Sequence, residues 1–163
     1  SPWLIVPNDA NVVYPYRSYS MDDAAPSAHL LAAEKLLDEC IAHLRVDESK
    51  VYLTGYSRGT MASWYLLSQT PEKFAAAIIC SGAGDPDSAY KFKEVPVWLF
   101  MGDADPLVSY GDICKIVSAY GDAGGADMKF TVCRGAGHGV GNWMYAEEEL
   151  IDWLFSKSKK VSE

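Results

Sequence analysis

"VYLTGYSRGT", residues 51–60, is an apolar run that breaks at a glycine and sets a single serine between Gly55 and Gly59. Lys50–Thr54 reads as a strand and Arg58–Gln69 as a helix stopped before Pro71, which puts Ser57 on the turn between them. A turn serine and a nucleophile look alike at such a place. Gly-x-Ser-x-Gly also arises by chance in about one chain in twenty of this length. The ends of the other strands have to decide.

Short apolar runs alternate with helical patterns on both sides of this stretch. Trp3–Val6 reads as a strand ending at Pro7, and residues 8–26, rich in Asn, Asp, Pro and Tyr, as a long irregular loop. From Ser27 to Arg45 the residues Leu30, Leu31, Leu36, Leu37, Cys40, Ile41 and Leu44 recur at helical spacing, with Ser27 as the cap. Further strands are expected at Phe74–Cys80, Val95–Met101 and Met128–Cys133, with helices at Tyr110–Tyr120 and Trp143–Ser156. The strands are continuous apolar runs rather than alternating ones, so both faces of the sheet are covered. The expected architecture is a single α/β domain over residues 1–163, three layers deep, around a mainly parallel sheet of about five strands.

In such sheets functional groups gather beyond the carboxyl ends of the strands. There the chain places Ser57, then Ser81-Gly82-Ala83-Gly84-Asp85, then Gly102-Asp103-Ala104-Asp105-Pro106, then Arg134-Gly135-Ala136-Gly137-His138-Gly139. A serine hydroxyl becomes a nucleophile when an imidazole removes its proton, and a carboxylate fixes the imidazole tautomer. Ser57 is therefore the candidate nucleophile and His138 the candidate base. His29 and His43 lie inside a helical pattern and read as surface or packing residues. Asp105, which precedes Pro106, is preferred as the acid over Asp103, which suits the amides of its own turn. Asp85 and Asp87 stand after the preceding strand. The backbone amide of Arg58, at the helix start, is placed to meet a developing oxyanion.

Composition excludes several other functions. A chain of 163 residues with 49% apolar and 22% charged residues can bury one core. Its formal charge of −8 argues against a nucleic-acid partner, and no segment is apolar for long enough to span a membrane. Lys157, Lys159 and Lys160, the one basic cluster, read as the complement of a helix C-terminus. Cys40, Cys80, Cys114 and Cys133 lack metal-binding spacing, and Cys80 and Cys133 end apolar runs as small buried hydrophobes do. The expected protein is soluble, either cytoplasmic or secreted and bacterial.

The chain resembles the bacterial esterases of the α/β-hydrolase superfamily related to polyhydroxybutyrate depolymerases, feruloyl and acetylxylan esterases and predicted peptidases. "VDESKVYLTGYSRGTMASWYL", "PEKFAAAIICSGAGDP", "VPVWLFMGDADPLVSY" and "GAGHGVGNW" carry the likeness. It implies a triad of Ser57, Asp105 and His138, ester hydrolysis through an acyl-enzyme, and no metal or organic cofactor. Four departures stand out. Gly59 is followed by Thr60 where the family has a second small residue. Met101-Gly102 replaces His-Gly before the acid turn, and no glycine occurs before Gly55 to supply the other oxyanion amide. The strands that would precede Trp3 are missing.

A fragment, a minimal domain and a weakened relative all fit these departures, and the minimal domain is preferred. In it the first strand slides beside the second, and the loop from Asn8 supplies the second oxyanion donor. Tyr14, Tyr16, Tyr19 and Trp143 are candidates to line the substrate pocket, with Tyr14 and Trp143 foremost, or else to cover the core. The leading expectation is a serine carboxylesterase for short-chain or small soluble esters, including those of the plant cell wall. Two alternatives stand beside it: a hydrolase-like module that needs a missing N-terminal part or a homo-oligomer to complete its sheet, and a peptidase or thioesterase on the same triad.

Overall fold

The computed structural model describes residues 4–5, 21, 24–125 and 127–159. In chain order the elements are β1 (Leu4–Ile5), β2 (Ala25–Pro26), α1 (Ala28–His43), β3 (Tyr52–Tyr56), α2 (Arg58–Gln69), β4 (Ala76–Cys80), β5 (Val97–Gly102), α3 (Tyr110–Asp122), β6 (Met128–Cys133), α4 (Gly141–Tyr145) and α5 (Leu150–Ser156). Short 3-10 turns at Glu48–Lys50, Pro71–Lys73 and Pro86–Phe92 complete the list. Strands β3-β4-β5-β6 pair in that order, all parallel, so each strand lies beside its successor in sequence.

Both faces of this sheet are buried, which explains the unbroken apolar strands. Along β5, Val97, Leu99 and Met101 join Trp64 and Leu67 of α2 and Ile113, Ile116 and Tyr120 of α3. Trp98 and Phe100 face the other way, onto Met144 of α4 and Leu150 and Leu154 of α5. The chain is thus a three-layer α/β/α domain, as its sequence pattern requires.

Three features differ from the expectation. The parallel sheet has four described strands, because the run around Leu4–Ile5 pairs antiparallel with Ala25–Pro26 instead of lying beside β3. An apolar run this short specifies that it pairs, not with what. The expected helix Trp143–Ser156 is broken at residues 146–149. Met144 and Leu150 both face the sheet but are six residues apart, which an unbroken helix would rotate about 120° out of phase; the break restores the phase. The third difference is in α1, capped by Ser27 Oγ accepting from Leu30 N–H at 3.2 Å as expected, which buries only Leu30 and leaves Leu31 and Leu36 exposed.

Register aligns the carboxyl ends of the strands: Tyr56 lies opposite Cys80, Cys80 opposite Phe100, and Gly102 opposite Cys133. The loops that follow all open on one edge of the sheet.

Candidate active site

Ser57 follows β3 directly, with φ 57° and ψ −118°. Only Ser57 and Ser81 combine a side chain with positive φ among the described residues. That backbone costs of order 1–3 kcal/mol and survives only where its surroundings fix it. Here they do. Ser57 N–H donates to Cys80 O at 2.8 Å, and Thr60 N–H donates to Ser57 O at 2.9 Å.

The Thr60 hydroxyl, wholly buried, lies 2.9 Å from Gly55 O and 2.6 Å from Cys80 O, and accepts from Cys80 N–H at 3.1 Å. A glycine at this position, lacking the hydroxyl, could not tie the two strand ends together. Thr60 therefore gives the departure from the family pattern a structural role.

Close packing at the turn depends on Gly55 and Gly82 rather than on both glycines of the motif. A Cβ on Gly55 would lie 2.4 Å from Ser63 Oγ and 2.6 Å from Gly59 O. One on Gly82 would lie 2.3 Å from Thr60 Cβ and 2.7 Å from Ser57 O. At Gly59 a Cβ would meet no described atom within 4 Å, so that glycine is not what lets the helix approach.

His138 sits in the glycine-rich loop after β6. Its Nε2 is 2.8 Å from Ser57 Oγ and its Nδ1 2.8 Å from Asp105 Oδ2. The side chain of Asp105 is wholly buried and that of His138 is 19% exposed. The remaining oxygen of Asp105 accepts from Leu107 N–H at 2.7 Å and Val108 N–H at 3.1 Å. With Nδ1 protonated toward Asp105, Nε2 is left to accept the serine proton.

The other acids have other tasks. Asp103 Oδ1 accepts from Gly135 N–H at 2.6 Å and so pins the histidine loop. Asp85 caps the 3-10 turn through Asp87 N–H at 3.0 Å and holds Met21 N–H at 2.7 Å. Asp87 lies on the exposed side of that turn. His29 and His43 are exposed on α1.

A cleft of about 50 Å³ opens beside Ser57 and His138, with Met61, Ala83, Leu107 and Val108 as its apolar walls. Arg58 also lines it; at the first position of α2 its N–H has no partner within the helix. Trp143 does not reach this cleft. It is 59% exposed and lines a separate groove with Asn142 and Glu147–Glu149. Asn8, Tyr14, Tyr16 and Tyr19 lie outside the described residues. Sequence reasoning missed Tyr56, whose hydroxyl donates to His138 O at 2.9 Å; a side chain reaching a carbonyl this distant in sequence leaves no pattern to find.

All four cysteines are free thiols, with Cys80 and Cys133 buried as expected. Burial pushes the Cys80 thiol up to about 11, and burial raises Cys133 as well. Among the described residues no group of three or more His, Cys, Asp or Glu stands ready to hold a metal. No described helix is long and apolar enough to cross a membrane.

The chain is similar to known esterases. Residues 17–147 match the family model described as phospholipase/carboxylesterase. The bifunctional acetylxylan esterase/xylanase XynS20E of Neocallimastix patriciarum is 26% identical over 68% of this chain and 17% of its own length. The crystal structure of a thermostable esterase superposes with a TM-score of 0.76 at 30% identity, over 82% of this chain and 38% of that one. Arabidopsis thaliana SOBER1 superposes with a TM-score of 0.60 at 18% identity, over 77% of this chain and 59% of that one, which bears on fold alone. The chain thus spans about a sixth of that curated relative and less than half of the thermostable esterase.

Proposed function

The chain belongs to the phospholipase/carboxylesterase family of α/β-hydrolases, and from that premise we propose that it hydrolyses small carboxylic esters with Ser57 as nucleophile, His138 as base and Asp105 as the acid that orients it. One observation carries the reading: the continuous chain Ser57 Oγ–His138 Nε2, His138 Nδ1–Asp105 Oδ2, at 2.8 Å in both links.

Ser57 Oγ attacks the ester carbonyl carbon while its proton passes to His138 Nε2. The Asp105 carboxylate stabilises the imidazolium that forms. The carbonyl oxygen becomes an oxyanion and accepts a hydrogen bond from Arg58 N–H. Collapse breaks the bond to the alcohol oxygen, which leaves with the proton from His138 and gives the alcohol and a Ser57 acyl ester. A water molecule then repeats the sequence, releasing the acid and restoring Ser57. No step needs a metal or organic cofactor.

The cleft supports a short acyl group. The apolar walls formed by Met61, Ala83, Leu107 and Val108 around this small cleft support acetyl to butyryl as the preferred acyl groups. A relative named as an acetylxylan esterase supports acetylated cell-wall polysaccharide as one natural source of such esters.

The test is hydrolysis of p-nitrophenyl acetate and butyrate by the protein and by Ser57→Ala, with fluorophosphonate labelling of Ser57. Turnover and labelling lost together in the variant support the reading. Neither occurring in the parent protein overturns it. Faster cleavage of the matching thioester or anilide would move the substrate class while keeping the residues.

One observation favours a second reading. Strand β3, which carries Ser57, is the outer strand of the four-stranded sheet among the described residues. A homo-oligomer that completes this edge would make activity depend on concentration, which light scattering alongside the ester assay detects.

A further inference from the structure

We propose that Tyr56, one residue before the nucleophile, is a positioning residue that clasps the second half of the His138 loop and keeps the imidazole in line while its hydrogen bonds change partners. The proposal rests on the assignment of Ser57 and His138 as nucleophile and base.

The loop from Arg134 to Gly139 contains three glycines, one of them, Gly135, at φ 69°. So flexible a segment needs external anchors if the base is to be held in place. Its first half is anchored from β5. Asp103 Oδ1 accepts from Gly135 N–H at 2.6 Å, and Ala104 N–H donates to Ala136 O at 3.1 Å. Gly102 presses against the same carbonyl so closely that a Cβ there would lie 2.2 Å from it.

The second half is held differently. Val140 N–H donates to His138 O at 2.9 Å, but that contact is local and moves with the loop. Beside the bond from the imidazole to Asp105, the backbone of this half is held from outside the loop by the Tyr56 hydroxyl, which donates to the same oxygen at 2.9 Å. The phenol ring adds to it. Its centroid lies 5.4 Å from that of the imidazole, and a Cβ added to Gly141 at the start of α4 would meet the ring's Cδ2 and Cε2 at 3.6 Å.

Chemistry gives the clasp its purpose. During turnover Nε2 takes the proton from Ser57 and hands it to the departing alcohol, so the link between Ser57 and His138 breaks and re-forms. That link cannot also hold the loop. The bond from Tyr56 to the backbone oxygen takes no part in proton transfer and persists throughout. Because Tyr56 precedes Ser57 on the strand end, one residue ties the base's backbone to the nucleophile's.

Tyr56→Phe keeps the ring and removes the bond. Tyr52→Phe serves as its control, since the Tyr52 hydroxyl donates to Lys157 O at 2.9 Å far from the cleft. Both variants are assayed on p-nitrophenyl acetate, with thermal melting alongside. The downfield proton NMR signal of His138 Nδ1–H is recorded in parallel, which needs no turnover. Tyr56→Phe is expected to lower kcat about tenfold with KM unchanged and to broaden that signal, while Tyr52→Phe leaves both as in the parent. An unchanged kcat and a sharp signal in Tyr56→Phe overturn the clasp, as does a rise in KM alone. A parent protein with no turnover and no fluorophosphonate labelling defeats the esterase reading instead, and the NMR comparison then still decides whether Tyr56 holds the loop.

Discussion

Asp103 and Asp105, two residues apart on one turn, hold opposite ends of the same loop. Asp103 takes the Gly135 amide at 2.6 Å, whereas Asp105 takes the His138 imidazole at 2.8 Å. The division follows from surroundings. Asp105 is turned inward, its side chain wholly buried and its second oxygen satisfied by Leu107 and Val108. Asp103 stays at the exposed rim.

Replacing each by asparagine therefore separates orientation of the base from support of its loop. Asp105→Asn is expected to lower kcat by about three to four orders of magnitude, because an amide favours the wrong imidazole tautomer. Asp103→Asn keeps an oxygen acceptor for Gly135 and is expected to leave kcat within about threefold, with at most about 1 kcal/mol lost in stability. Steady-state rates and urea midpoints on both variants check this, and equal losses of activity would reverse the assignment.

Thr60 gives a second expectation. Its hydroxyl serves the carbonyls of Gly55 and Cys80 and the amide of Cys80, all inside the protein. Thr60→Val preserves the shape and strips those partners, which is expected to cost about 1–3 kcal/mol. Thr60→Ser retains the hydroxyl and should lose less. Because Thr60 also donates its N–H to Ser57 O, the valine variant should react more slowly with fluorophosphonate than the serine variant. Equal stability and labelling in the two would show that the hydroxyl contributes little.

The residues proposed for the chemistry were legible in the sequence as neighbours, because each had to stand just past an apolar strand. Strand periodicity placed Ser57, Asp105 and His138 at one edge; turn chemistry set Asp103 on the amides of its own turn, whereas it takes the Gly135 amide of the loop after β6. The residues that hold the site were not legible. Tyr56, Thr60 and Gly82 act on backbone atoms that only the fold brings near, and neither spacing nor composition encodes those contacts. For the same reason the Gly-x-Ser-x-Gly pattern marks Gly59, where a Cβ would meet nothing, and not Gly82, where it would lie 2.3 Å from Thr60 Cβ. Trp143 follows His138 closely in sequence, yet α4 carries it to another groove.

The walls of the cleft set a third expectation. Met61 is buried on α2 and Leu107 stands on the loop capped by Asp105, and both border the space beside Ser57. Truncating Leu107 to alanine enlarges the cleft without touching the bonds made by its backbone. Leu107→Ala should raise kcat/KM for p-nitrophenyl octanoate relative to acetate by about tenfold or more, since each further buried methylene contributes about 0.8 kcal/mol. Met61→Ala should act in the same direction with some loss of stability. A parent protein that already prefers octanoate would show that the acyl group binds elsewhere.

The last expectation concerns Cys80, at the end of β4, where its backbone supports the elbow and its thiol faces the core below the sheet. Burial is the main reason its pKa rises from 9.0 to about 11; Cys133 and Asp105 push the same way, and the contact with Ser81 opposes them. The folded protein therefore keeps the thiol proton after the unfolded chain has lost it. Where the native state binds more protons, stability falls as pH rises, so this contribution is intact below about pH 9 and is lost progressively toward pH 11. The raised Cys133, Tyr56 and Tyr65 act in the same sense. Urea midpoints should decline over that window, and less steeply in Cys80→Ala. At pH 8 iodoacetamide should modify the partly exposed Cys40 and Cys114 first and reach Cys80 only in denaturant. Alkylation of native Cys80 as fast as Cys40 would mean that the strand end beneath Ser57 opens readily, which a rigidly held nucleophile does not allow.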